Sequence, residues 1–207
     1  MLKPKLLLLA IDKIRGQELT KLGDFALLKA DALGAKAKPV VMNQLESVVG
    51  YYPPIDLEVL SQLPPCTLGY KYAHHMQANG LKPFTVSPKL DEVAQRNVFA
   101  LRYAITHDIF HVLLGFDTSY AGEIGVLAFA VAQNYSQLQR LGLWLASALY
   151  PVLAPGQTPA IFANRRQGLA LGQQAKCLLG IRFEEMWALP IDVVRRDLGL
   201  VKPIGTL

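Results

Sequence analysis

An all-α, irregular helical bundle is the fold class this sequence predicts, and three observations predict it. Apolar residues recur at helical spacing through most of the chain. The periodic runs break at helix-stop chemistry: Pro53-Pro54, Pro64-Pro65, Asn79-Gly80, Gly115 and Gly199. Alternating runs joined by Asn-Gly or Asp-Gly, the signature of β-hairpins, are missing. No repeat, low-complexity tract or polar linker divides the 207 residues, so a single domain over 1–207 is expected, long enough to bury a substantial core.

The elements follow in order. Val41, Leu45, Val48, Val49 and Tyr52 mark one helical face that Pro53-Pro54 stops. A short segment carries Leu57, Leu60 and Leu63 up to Pro64-Pro65. Thr67 can cap a helix bearing Leu68, Tyr72 and Met76, which closes at Asn79-Gly80. Ser87-Pro88 reads as an N-cap followed by proline at the first helical position. Leu90, Val93, Ala94, Val98, Leu101 and Ile105 then predict one long helix that runs into the His107 region and stops at Gly115. Further helices are expected from about Gly122 to Tyr135, Leu138 to Tyr150 and Ala163 to Trp187, with a short one after Pro190 closed by Gly199.

A hydrophobic fraction of 52% and a mean hydropathy of +0.25 are high for a soluble protein and low for a polytopic membrane protein. The excess concentrates between Glu123 and Arg165, where Arg140 is the only charged residue. A spanning helix needs about 20 apolar residues, and Pro151, Pro155, Gly156, Gln157 and Pro159 interrupt this run too early. Buried or interfacial helices are expected instead. At the N-terminus, Lys3 and Lys5 precede an apolar run, Leu6 to Ile11, which Asp12 and Lys13 end short of a signal core. Glu18 also argues against an acid-poor transit peptide. Cys66 and Cys177 lack CxxC spacing, which fits a reducing, intracellular compartment. A net charge of +5 suits an anionic membrane surface. The cations are scattered without interleaved aromatics, so no nucleic-acid partner is expected.

The segment that carries chemistry is His107-Asp108-Ile109-Phe110-His111, followed by Glu123. On an α-helix His107 and His111 are one turn apart on one face, with Asp108 in the same sector. Gly115 lets the chain turn, and Glu123 near the start of the next helix can fold back as a fourth ligand. Two imidazoles with carboxylates suit Zn, Fe, Mn, Co or Mg, with water in the remaining positions. Without a thiolate, an open, reactive site fits better than a closed structural one. The competing reading is a hydrogen-bonded surface cluster. Against it, Ile105, Ile109, Phe110, Val112, Leu113 and Leu114 make the helix mostly buried, and buried polar groups need partners. The spacing also equals that of the HExxH zinc peptidases, with aspartate replacing the glutamate base, and the His-Asp pair touches the phosphohydrolases named for that dyad. A metal-dependent hydrolase is therefore a weaker alternative.

With those residues located, the chain resembles the coenzyme Q biosynthesis protein 4 family. The family's HDxxH motif, followed after eleven residues by glutamate, is matched by His107, Asp108, His111 and Glu123. Pro64-Pro65-Cys66-Thr67-Leu68-Gly69-Tyr70 resembles its PPGTLGxxY segment, with Cys66 at a glycine position. Arg102-Tyr103, Gly122-Glu123, and Trp187-Ala188-Leu189-Pro190-Ile191 through Arg195-Arg196-Asp197-Leu198-Gly199 are also similar, so the likeness spans about residues 20–200. The resemblance implies a helical fold, a bound divalent metal, a polyprenyl lipid, and assembly with other quinone-biosynthesis proteins at a membrane surface. The activity it implies is removal of the ring carboxyl at carbon one of a polyprenyl-hydroxybenzoate, with hydroxylation there; an older reading makes the family a scaffold.

The residues themselves are compatible with that picture. A polyisoprenoid tail needs a dry groove between helices, and Ile124 to Asn164, including Leu127, could line one beside Glu123; the alternative is ordinary core. Arg102 is a candidate for gripping an anionic head or for a salt bridge. Tyr70, Tyr72 and Tyr103 are candidates for the head group or for packing. His74-His75 point about 100° apart on a helix and are poor co-ligands. Trp144 and Tyr150 read as core in preference to an interfacial anchor. The apolar excess also predicts self-association, as a homodimer. A metal-dependent lyase on a prenylated aromatic acid is the first functional expectation, and a prenyl-lipid-binding scaffold the second.

Overall fold

The structure, a computed structural model, describes residues 27–28, 30–87 and 90–200. The N-terminal features from Lys3 to Glu18, and Pro88, lie outside the described residues. Among those described there is no strand, only an isolated antiparallel bridge between Thr67 and Pro190, and the expected all-α fold is present. The α-helices are α1 (Pro39–Leu45), α2 (Leu57–Ser61), α3 (Leu68–Ala78), α4 (Asp91–Arg96), α5 (Val98–Leu114), α6 (Tyr120–Ala132), α7 (Gln137–Leu153), α8 (Thr158–Gln174) and α9 (Ile191–Asp197). None is long and apolar enough to cross a membrane.

Local chemistry explains several boundaries. The Thr67 hydroxyl accepts from the Tyr70 N–H at 3.3 Å and starts α3, which Gly80 closes in the left-handed conformation. The expected long helix over 90–114 is instead two, broken at Asn97. Its side chain accepts from the Ala100 N–H at 3.1 Å as the N-cap of α5, while its amide nitrogen reaches the Ala35 carbonyl at 3.2 Å. That second bond is tertiary, which is why helical periodicity did not reveal the break. The helix expected over 163–187 begins earlier and stops at Gln174, because Pro159 occupies the first turn of α8, where proline is tolerated. Pro151 likewise lies inside α7, which continues to Leu153.

α5 lies at the centre of the main core. Ile109, Phe110 and Leu113 pack with Leu68, Tyr72 and Met76 of α3, Val126 and Phe129 of α6, and Leu178, Leu179 and Phe183 downstream. Phe110 meets Phe129 and Phe183 edge-on, with centroids 5.8 and 6.3 Å away, a favourable aromatic geometry. At the end of α5, Gly115 adopts φ 74°, and Arg195 of α9 donates to the carbonyls of Leu113 (2.8 Å) and Val112 (3.0 Å), two groups that the helix terminus leaves without intrahelical partners. α6 and α8 approach closely enough that a Cβ on Gly168 would lie 2.1 Å from the Gly125 carbonyl oxygen. α7 completes that layer with Leu143 and Ala146 against Ile124, Ala128 and Ile161.

Candidate functional site

α5 presents His107 and His111 one turn apart, and the Gly115 turn brings α6 back so that Glu123 faces both. The turn is fixed by Ser119, whose hydroxyl accepts from the Gly122 N–H at 3.3 Å and caps α6. His111 Nε2 lies 3.3 Å from Glu123 Oε1 and 3.3 Å from His107 Nε2, while His107 Nε2 lies 3.4 Å from Glu123 Oε2. These three residues could hold a metal ion. Metal–nitrogen bonds of about 2.0–2.1 Å in a tetrahedron imply ligand–ligand edges of about 3.3 Å, which the two imidazole nitrogens match, each of them facing a different oxygen of Glu123. His111 Nδ1 lies 3.2 Å from the Phe116 carbonyl; a proton held on that nitrogen leaves the Nε2 lone pair facing the cluster. The His111 side chain is fully buried, whereas those of His107 and Glu123 are about one-third exposed, so the cluster opens to one side.

The electrostatics follow from this crowding. Burial raises the Glu123 carboxyl's pKa, but the hydrogen bonds and charges of His107 and His111 outweigh it and hold the pKa at about 2. Burial lowers the His111 pKa, yet Glu123, the Phe116 carbonyl and Asp108 together raise it above its ordinary value. Asp108 is outside the three-residue cluster and lines an adjoining cavity. That cavity has a volume of about 760 Å³, and its walls include Phe84, Phe99, Tyr103, His107, Leu138 and Gln139.

The other anticipated head-group residues are placed differently. Arg102 is 1% exposed, donates to Glu184 at 2.7 and 3.1 Å, and also reaches the carbonyls of Leu179 and Ile181. It adopts the salt-bridge alternative and does not line the cavity. Tyr70 packs on His74, with ring centroids 4.0 Å apart, also away from the cavity. Leu127 packs with the α6–α7–α8 core. Of the stretch from Ile124 to Asn164, Ser136, Leu138 and Gln139 line the cavity, whereas Leu127, Leu143 and Ala146 pack between helices. Of the four, Tyr103 lines the cavity; burial, followed by the nearby Glu123, pushes its hydroxyl's pKa up. Trp144, expected in the core, is 69% exposed.

Sequence reasoning set His75 aside as a poor co-ligand and did not reach Gln139. His75 of α3 stacks on His111 with centroids 5.7 Å apart, and burial, then His111, lowers its pKa. Its register on the Thr67-capped helix was a usable signal, since Tyr72 and Met76 on that helix face the core. Gln139 stands in the first turn of α7 and lines the cavity, with no local sequence feature to mark it.

Residues 52–204 match the family described as "Coenzyme Q (ubiquinone) biosynthesis protein Coq4". Among similar curated proteins is the mitochondrial ubiquinone biosynthesis protein COQ4 homolog of Rattus norvegicus, 30% identical over 153 residues, covering 72% of this chain and 56% of that protein. The Danio rerio homolog is 31% identical, covering 72% of this chain and 55% of its own length. The chain thus spans little more than half the length of these relatives. The fold is similar to the crystal structure of a candidate ubiquinone biosynthesis protein from Nostoc punctiforme, with a TM-score of 0.65, 23% identity, and coverage of 96% of this chain and 89% of that one.

Proposed function

This chain belongs to the Coq4 family of ubiquinone biosynthesis proteins, and from that premise we propose that it binds one divalent metal ion through His107, His111 and Glu123 and takes a prenylated hydroxybenzoate into the adjoining cavity. The observation that carries the proposal is the convergence of the His107 and His111 Nε2 atoms, 3.3 Å apart, on the two oxygens of the Glu123 carboxylate at 3.3 and 3.4 Å, beside the cavity wall formed by His107 and Asp108. Three protein ligands leave a position open, as catalytic metal sites do. A cavity of about 760 Å³ falls within the size range of small-molecule sites.

When bound, the ion would supply Lewis-acid polarisation of a carboxylate or phenolate oxygen, and hydroxylation would require a redox-active metal together with dioxygen. The chain's own groups do the rest. The Phe116 carbonyl fixes the orientation of His111. Glu123 stays ionised at neutral pH and balances charge in the cluster. Phe84, Phe99 and Leu138 exclude water from the ring and the first part of the tail, each buried methylene contributing about 0.8 kcal/mol. Loss of the carboxyl at carbon one leaves its bonding pair on the ring, where a proton replaces carbon dioxide.

A prenyl-lipid-binding scaffold at a membrane surface, working with other quinone-biosynthesis proteins, is the second reading. The outer face of α7 favours it: Leu141, Trp144, Leu145, Leu149, Val152 and Leu153 are all exposed. Elemental analysis of the purified chain should find about one equivalent of metal, with His111→Ala losing most of it. Unchanged metal content in His111→Ala and in the combined His107→Ala, His111→Ala, Glu123→Ala variant would defeat the metal assignment, leaving the scaffold reading in place.

A further inference from the structure

In the cavity wall, Gln139 carries both an amide nitrogen and a carbonyl oxygen that are buried and have no hydrogen-bond partner. Such groups are costly to leave unpaired, and a native structure ordinarily satisfies them. The other polar side chain that this turn contributes is already engaged, since the Ser136 hydroxyl accepts from the Leu138 N–H at 3.3 Å. The Tyr103 hydroxyl is a hydrogen-bonding neighbour of the Gln139 side chain, and that contact favours the phenol's ionised form, but it falls short of full hydrogen-bond geometry.

We propose that Gln139 is a specificity-determining residue that reads a ring hydroxyl on the bound ligand. This rests on the prenylated hydroxybenzoate reading above. The argument is one of matched valence. A side-chain amide presents a donor and an acceptor side by side, and a phenol hydroxyl both donates and accepts, so one hydroxyl satisfies both orphaned atoms. An ionised carboxylate only accepts; placed there it would leave the amide oxygen unpaired and face it with like partial charge. The two polar ends of a hydroxybenzoate are thereby sorted: the hydroxyl goes to Gln139 and the carboxylate to the His107 side. A site built to bond a hydroxyl disfavours the analogue lacking it, because the protein's buried groups are then left unpaired.

The test is calorimetric titration of the full chain, with one equivalent of Zn²⁺ added, against two probes: a geranylgeranylated hydroxybenzoate and its counterpart lacking the ring hydroxyl. The wild type should bind the hydroxylated probe at least about tenfold more tightly, the worth of one to two net hydrogen bonds. Gln139→Met, close in volume and apolar, should bring the two affinities within about twofold of each other while leaving metal content unchanged. In the ligand-free protein the same variant should melt no lower than the wild type, because it removes two unsatisfied polar atoms. A lower melting temperature would make the amide a structural partner and overturn the proposal. Equal affinity of the wild type for both probes would overturn the Gln139 assignment and spare the cavity reading. Failure of either probe to bind would remove the cavity reading itself, and this proposal with it.

Discussion

α5 and α7 are both seventeen-residue helices rich in apolar side chains, and the structure treats them in opposite ways. α5 carries Arg102, Thr106 and His111, yet buries all three. α7 carries Leu141, Trp144, Leu145, Leu149, Val152 and Leu153, yet leaves them exposed, Val152 at 75% and Trp144 at 69%. What separates the two is partnership. Each of these three side chains on α5 has an acceptor or a counter-charge within reach: Glu184 for Arg102, the Arg102 carbonyl for Thr106, Glu123 and the Phe116 carbonyl for His111. α7 buries Leu143 and Ala146 against the α6–α8 pair, and its outer apolar face is exposed among the described residues. Apolar density therefore did not mark the site wall: α5 supplies most of its helical part, and α7 adds Leu138 and Gln139 from its first turn alone.

The comparison would break first at Arg102. Arg102→Ala leaves Glu184, whose side chain is 4% exposed, as an uncompensated buried charge. Denaturant unfolding should show a loss of about 3–5 kcal/mol. A loss under about 1 kcal/mol would mean that the pair is not what holds α5 to the 183–185 turn. A smaller effect is expected at Glu123, measured on metal-free protein. Its folded-state pKa, about 2, lies below the ordinary 4.5, so the group adds stability above that ordinary value, and the contribution is lost as pH falls towards 2. Glu123→Gln should flatten the acid limb of the stability curve over that interval; an unchanged acid limb would show that the carboxylate is not paired with the two imidazoles. The smallest effect belongs to α7. Trp144→Ser with Leu149→Ser should shift folding stability by no more than about 0.5 kcal/mol, while lowering retention on anionic vesicles or the mass seen in sedimentation. A substantial fall in melting temperature would mean that this face is covered after all.

The sequence discloses what is settled locally. Thr67, Ser119 and Gly115 cap or close their helices through groups no more than a few residues away, and the i,i+4 histidines with Glu123 just past a turn converge through that same short-range logic. The break at Asn97 was hidden because its cause is the Ala35 carbonyl, 62 residues earlier. The fate of Arg102 depends on Glu184, 82 residues later. The rest of the cavity was hidden for the same reason: beyond 136–139, its walls come from Ile55 and from residues 30–35, 80–85 and 99–108, segments that no periodicity links.

Those long spans also fix a timetable. The ligand-bearing helix is tied at one end to Glu184 and at the other to Arg195, each more than eighty positions further along the chain. A nascent chain emerging from the ribosome therefore displays His107, His111 and Glu123 well before the segments that hold α5 in place exist. Contacts of such sequence separation form late and set the pace of folding. On this schedule the histidines are exposed to any metal in the cell during synthesis, before the segments that hold α5 in place have docked. A ribosome-stalled chain ending at residue 175 would carry every proposed ligand but neither anchor of the helix that bears the two histidines.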